Sequence, residues 1–156
     1  MTDTIMLTPI GVVDGGRADP VDDDWDSETC TIVLDAAQFD DQALMGLDTF
    51  SHAEIIFHFN KVPADKITKD ARHPRGNTDW PRVGIFAQRG KNRPNLLAVS
   101  VCEILKVDGT RLTVRGLDAI AGTPVVDIKP VMQEFQPRGA IKQPDWSHEL
   151  MKGYWS

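Results

Sequence analysis

Cysteine is scarce in this chain of 156 residues: Cys30 and Cys102 stand far apart in apolar, strand-like runs. That spacing excludes a Cys-x-x-Cys redox pair and a thiolate metal cage, and two buried free thiols in a reducing cytoplasm are expected. No apolar run approaches the roughly 20 residues with which a helix crosses a bilayer. The opening residues carry no basic segment and no small-residue cleavage site, which argues against secretion. The phosphate loop, the G-x-S-x-G elbow and the H-E-x-x-H zinc motif are all missing. Gly11-Val-Val-Asp-Gly-Gly16 lacks the G-x-G-x-x-G spacing and no helix follows it, so a turn is expected there. His52 and His58 share one face of a strand but have no third ligand near them, and no metal site is expected.

Basic residues are missing from one region and concentrated in another. Residues 1–60 hold thirteen acids and a single base, Arg17, whereas residues 61–95 hold nine bases and three acids. The net charge of −6 is therefore an average over unlike parts. Either a basic face stands beside an acidic one, or the two neutralise each other across the surface.

Short β-rich runs follow one another with turn residues between them. Strands are expected at residues 5–13, broken by Pro9, and at 29–36, 52–62, 83–88, 96–107, 111–114 and 125–128. Asp108-Gly109 is a hairpin signal. The acidic tract 19–28 reads as a long loop, residues 38–45 as two helical turns ended by Gly46, and residues 144–156 as a short helix with Trp146, Leu150, Met151 and Tyr154 on one side. The pattern predicts an all-β or β-rich fold: one small β-barrel with short peripheral helices, in a single domain spanning 1–156 with a core at about 5–131.

Two segments carry candidate chemistry. In residues 72–95, Arg72, Arg75, Arg82, Arg89, Lys91 and Arg93 stand among Gly, Pro and Asn, including Asn95. A solvated hairpin tip has such a composition, and so does a ligand site, because guanidinium groups make bidentate charge-assisted bonds. The rigid Arg93-Pro-Asn95 is expected to hold its guanidinium in place. In residues 116–130, Asp118 lies in a glycine-flanked connection, where a carboxylate accepts bonds from ribose hydroxyls or an amine. Asp127 alternates with Val126 and Ile128, and despite the nearby Lys129 it is expected to need a partner from elsewhere, such as an arginine of the first segment.

Gly46-Leu-Asp-Thr-Phe-Ser-His52, Val83-Gly-Ile-Phe-Ala-Gln-Arg89, Arg93-Pro-Asn95 and Gly122-Thr-Pro-Val-Val-Asp-Ile-Lys-Pro130, in that order and spacing, resemble the TsaA-like (TrmO) family over about residues 5–131. The resemblance implies a β-barrel methyltransferase that uses S-adenosylmethionine (SAM), methylates N6 of N6-threonylcarbamoyladenosine at position 37 of tRNA, and works as a homodimer. It implies cofactor contacts from Phe59, Asn60, Arg89, Arg115, Gly116, Leu117 and Asp118. Arg72, Arg75, Arg82, Lys91, Arg93 and Asn95 would then lie near the tRNA, and Asp127, with Lys129, is the candidate for removing the N6 proton. Ala98 and Ala121 depart from the family's usual Gly and Asp. A small-molecule or protein acceptor, and a non-catalytic module for SAM or another adenosine ligand, are the rival functions.

Overall fold

The computed structural model of the protein describes residues 2–156. Its strands are β1 (Gly11–Asp14), β2 (Thr29–Leu34), β3 (His52–His58), β4 (Ala71–Arg72), β5 (Val83–Gly84), β6 (Leu97–Asp108), β7 (Arg111–Arg115) and β8 (Pro124–Pro130). Six of them close an antiparallel barrel in the order β1-β2-β7-β6-β3-β8, and β4 and β5 form a separate two-stranded ribbon. Alternation of apolar residues decides which face turns inward. Cys30, Ile32 and Leu34 of β2, Ala53, Ile55 and Phe57 of β3, and Leu112 and Val114 of β7 are buried in one core, joined by Val13, Cys102 and Val125.

The long strand β6 joins two halves of the barrel. Residues 97–103 pair with β3 and residues 103–108 with β7, with a bulge between Ile104 and Lys106. Gly109 at φ 60° then makes the tight turn that the Asp108-Gly109 pair predicts. Closure is made by β1 against β8, where two register pairs, Gly11↔Val125 and Val12↔Pro124, are extended by Ile10 N–H to Val125 O (2.8 Å) and Val13 N–H to Thr123 O (2.9 Å).

Several expected elements differ. The first strand begins at Gly11, not Ile5, because Pro9 has no N–H and the pairing with β8 stops at Ile10; Ile5, Met6 and Leu7 are exposed. The expected turn at Gly11 is thus confined to Gly15 and Gly16, both at positive φ. Residues 38–45 form turns instead of a helix, since the Asp35 and Asp40 carboxylates accept the backbone N–H groups of Ala37 and Gln42 and draw the chain away from helical bonding. The expected strand 83–88 ends at Gly84; Ile85–Ala87 is a 3-10 turn, and the Gln88 amide donates to the carbonyls of Arg72 and Val83. The last segment does form a helix, α1 (Asp145–Met151), with Tyr154 beyond its end.

Gly11 has a steric reason to be glycine. A Cβ there would meet Val33 O at 2.4 Å and Leu34 Cα at 3.1 Å. Gly11→Ala is expected to lower stability by about 1–3 kcal/mol, as overpacking does. An earlier urea midpoint at unchanged m-value would show it, and a wild-type midpoint would mean that the β1–β2 seam has room.

Candidate functional site

The register of β8, β3, β6 and β7 assembles an outer face that carries Asp127, Lys129 and Arg115. Asp127 pairs with Ile56 and Ile56 with Val99, so these three form one cross-strand row. Lys129, Glu54 and Val101 form the next, and His52, Glu103 and Arg115 the one after. Val99 and Val101 are 41% and 43% exposed, giving an apolar floor between charged edges. Arg89 arrives from the 3-10 turn Ile85–Ala87 and donates to Val99 O at 2.8 Å. Arg89 and Asp127 therefore attach to opposite ends of a row two strand spacings wide, roughly 10 Å.

The connection 116–123 meets β6 at the very next residue. Ser100 is buried, and its hydroxyl donates to Asp118 Oδ1; the Tyr154 hydroxyl donates to Oδ2 of the same carboxylate. Burial, then the Asp118 charge, pushes the Tyr154 phenol well above its ordinary value, so it stays protonated and serves as a donor. Gly116 at φ 82° turns the chain out of β7, with its N–H on Glu28 O (2.9 Å). Leu117 then drops into the core at 1% exposure. Its side chain faces no ligand, and only its backbone is available to one.

Beside this connection lies a concavity of about 280 Å³, lined by Asp26, His52, Val101, Cys102, Glu103, Arg115, Gly116 and Trp155. The Arg115 guanidinium is ion-paired with Glu103 across its floor. Small-molecule sites usually begin near 300 Å³, so the concavity takes one end of a nucleoside-sized ligand. Its carboxylates suit hydroxyls or an ammonium, Arg115 suits a carboxylate, and the Trp155 ring offers a stacking surface. This donor set fits SAM, which carries all four kinds of group.

Other predicted residues lie apart. Phe59 and Asn60 follow β3, where Phe59 N–H bonds Leu96 O (2.8 Å) and its ring meets Phe57 edge-on. Six residues of β6, roughly 20 Å, separate that end from Arg115, so one small ligand does not touch both. Asp127 does not pair with an arginine. Its partner is Lys129 at 3.2 Å, because residues two apart on a strand share a face, and its other oxygen accepts Ile128 N–H (2.9 Å). Arg93 is held, as expected, by the carbonyls of Gln88 (2.7 Å) and Gly90 (3.4 Å). Arg75 is paired with Asp23 (3.1 Å) and Asp22 (4.0 Å). Arg72, Arg82 and Lys91 have no acidic partner among the described residues. Asn95, at φ 63°, is exposed. Ala98 is half-buried against the core, where the extra Cβ packs.

Arg17, the single base of the first 60 residues, organises the acidic loop. Its guanidinium lies 3.9 Å over the Trp25 ring, pairs with Glu28 (3.1 Å), and donates to the carbonyls of Val21, Asp23 and Asp24. Three successive N–H groups of that loop, from Asp24, Trp25 and Asp26, donate to the carbonyls of Gly153, Tyr154 and Trp155. Sequence reading missed Ser100 and Tyr154: a serine in a strand and an aromatic in a terminal segment carry no local signal of a shared carboxylate.

The fold is thus a small closed barrel whose polar groups gather on one outer face and at one inter-strand connection, unlike the doubly wound sheet of nucleotide-binding enzymes. The tRNA-methyltransferase O N-terminal domain family matches residues 19–136, and the chain belongs to that family, as its four ordered motifs indicated. Human tRNA (adenine(37)-N6)-methyltransferase is 35% identical over 104 residues, which cover 67% of this chain and 23% of that protein. An S-adenosyl-L-methionine-binding protein of Archaeoglobus fulgidus is 34% identical over 133 residues, 84% of this chain and 92% of its own length. The crystal structure of TrmO from Pseudomonas aeruginosa matches with a TM-score of 0.72 at 25% identity, over 90% of this chain and 61% of that one. The chain spans about a quarter of the length of the mammalian methyltransferases it matches.

Both thiols are free and buried. Burial first, with the Glu28 charge second, raises Cys30 from 9.0 to about 11. Burial, helped by Cys30 and Asp118, raises Cys102 from 9.0 to about 12. The folded state therefore holds protons that the unfolded chain releases, so this stability is complete below the unfolded value of 9.0 and is lost as pH climbs through 11 and 12. Urea midpoints are expected to fall between about pH 8 and about pH 10, and to fall less in Cys102→Ala. Equal slopes would contradict the assignment. Arg17→Ala is expected to cost about 2–3 kcal/mol through lost charge-assisted bonds and ring stacking. It should also speed proteolysis of residues 19–28, whereas an unchanged cleavage rate would mean that the loop holds itself.

Proposed function

We propose that this chain is a SAM-dependent methyltransferase acting on N6 of the adenosine at position 37 of tRNA, with the threonylcarbamoyl-modified base as acceptor. The observation that carries the reading is the concavity beside the 116–123 connection, where Asp26, Glu103, Arg115, Gly116 and Trp155 supply a donor set that fits SAM. Family membership and the tRNA (adenine(37)-N6)-methyltransferase relatives support the reaction class.

Bound SAM supplies an activated methyl group on a sulfonium sulfur. The residues of the chain have the task of alignment, which is where the rate of an in-line displacement is gained. Arg89, the backbone of Gly116 and Leu117, Arg115 and the Asp118 carboxylate hold the cofactor's polar groups, while Phe59 and Asn60, at the far end of β6, lie outside the reach of that ligand. Asp127, steadied by Lys129 and the Ile128 N–H, accepts the proton of the adenine N6. Arg72, Arg82 and Lys91, which have no acidic partners among the described residues, meet the phosphate backbone, with Arg93 and Asn95 shaping the turn that follows Lys91. Pairing of Asp22 and Asp23 with Arg75 lowers the repulsion that the acidic segment would offer.

We also infer a homodimer: Phe86, 76% exposed, and the exposed Val99 and Val101 offer apolar surface around Arg89 for a second copy. Two free thiols suit a reducing compartment, the cytoplasm. No helix of the described residues is long and apolar enough to cross a membrane. One observation favours a second reading, a SAM-binding module without transfer: the relative that aligns with 84% of this chain is named for SAM binding alone.

Mass spectrometry of unmethylated tRNA incubated with the protein and SAM separates the two readings. The methylated form of threonylcarbamoyladenosine is expected, and Arg82→Ala with Lys91→Ala should weaken tRNA binding and reduce the log–log salt slope by about 2. SAM binding without any methylated nucleoside would leave the binding module standing.

A further inference from the structure

Tyr154 lies outside residues 19–136, the span that matches the family, yet its hydroxyl reaches Asp118, 36 positions earlier. Its approach is fixed from both sides. Before it, α1 is anchored by the Trp80 indole N–H, which donates to Glu149 Oε2 at 2.7 Å. Around it, the carbonyls of Gly153, Tyr154 and Trp155 accept the N–H groups of Asp24, Trp25 and Asp26 at 3.0, 3.0 and 2.7 Å. The Tyr154 ring also meets Trp155 edge-on at 5.0 Å, and Trp155 lines the concavity beside Asp118's connection. Ser100 contributes the matching contact from inside the barrel, on the other carboxylate oxygen.

A carboxylate offers about four lone-pair sites on two oxygens. Two hydroxyl donors, one per oxygen, stop the group from rotating and leave one acceptor site on each oxygen. Such a carboxylate presents one acceptor site on each oxygen, a pair that vicinal hydroxyls or an ammonium can read. We propose that Tyr154, together with Ser100, is a positioning residue that orients Asp118 toward the hydroxyls or amine of the bound cofactor. The proposal rests on the reading that SAM is held at Asp118. It makes the terminal segment 153–155 part of the site and links it, through Asp22, Asp23 and Arg75, to the basic segment.

The test is calorimetric titration of the whole chain with SAM, joined to steady-state methylation of unmethylated tRNA and a thermal melt. Tyr154→Phe is expected to raise the SAM Kd and KM about tenfold, the effect of one charge-assisted bond, with kcat within about twofold. Ser100→Ala, which alters the other oxygen, should act in the same direction and carries the test if Tyr154→Phe does not fold. Asp118→Asn should lose measurable SAM binding. A wild-type Kd in both hydroxyl variants, while Asp118→Asn still fails to bind, would overturn the positioning role and leave Tyr154 as a tether. Tighter SAM binding by Tyr154→Phe would overturn it too, by making the segment an obstruction. Failure of the unaltered protein to bind SAM would instead sink the functional reading underneath, and the proposal with it.

Discussion

The seam between β1 and β8 is the constraint on which the rest of the molecule depends. It is short, two register pairs extended by the Ile10 and Val13 N–H bonds. It needs β1 held on its other side by β2, where Gly11 lies too close to Val33 O for any side chain. Once closed, it carries the incoming connection along β1: Gly122 N–H bonds Val13 O, Val13 N–H bonds Thr123 O, and Ala121 N–H bonds Arg17 O. Residues 116–123 thereby cross from β7 to β8 past the middle of β6, and Asp118 comes to rest against Ser100. An open sheet would leave that connection as a mobile loop and the carboxylate without its partners.

The uneven charge along the sequence resolves into a stapled structure. Arg17 binds the acidic loop into a fixed shape, Arg75 crosses over to Asp22 and Asp23, and the loop in turn holds residues 153–155. The acidic segment is therefore a structural part that neutralises one arginine of the basic segment. Arg72, Arg82 and Lys91 are left without acidic partners among the described residues, and the outer face of β3, β6 and β8 stands next to them through Arg89. Both alternatives raised by the charge pattern hold in part: some of the charges cancel, and a basic surface remains.

Much of the barrel was legible because its strands alternate cleanly: Thr29–Leu34, His52–His58 and Arg111–Arg115 each bury every second residue, and Gly109 marks its turn. Short-range competition defeated other readings. Asp35 and Asp40 bond their own backbone and prevent a helix, and Gln88 ties back to Arg72 and Val83 and ends a strand after Gly84. The Asp127–Lys129 pair follows from strand periodicity alone and was within reach of the sequence. The Ser100–Asp118–Tyr154 arrangement was not, since its members lie 18 and 36 positions apart and meet only after the barrel has closed. The four ordered motifs carried the family; they did not carry the residue that the terminal segment adds.

The central claim is that the cofactor binds at the connection to β8, beside Asp118, with Arg89 on the adjoining part of β6. Amide hydrogen exchange of the whole chain, with and without SAM, tests this most directly. Slowed exchange in residues 88–95 and 116–123, with a matching slowing in 153–155, is the predicted result. Protection confined to other segments, with those three unchanged while SAM is bound, would contradict it.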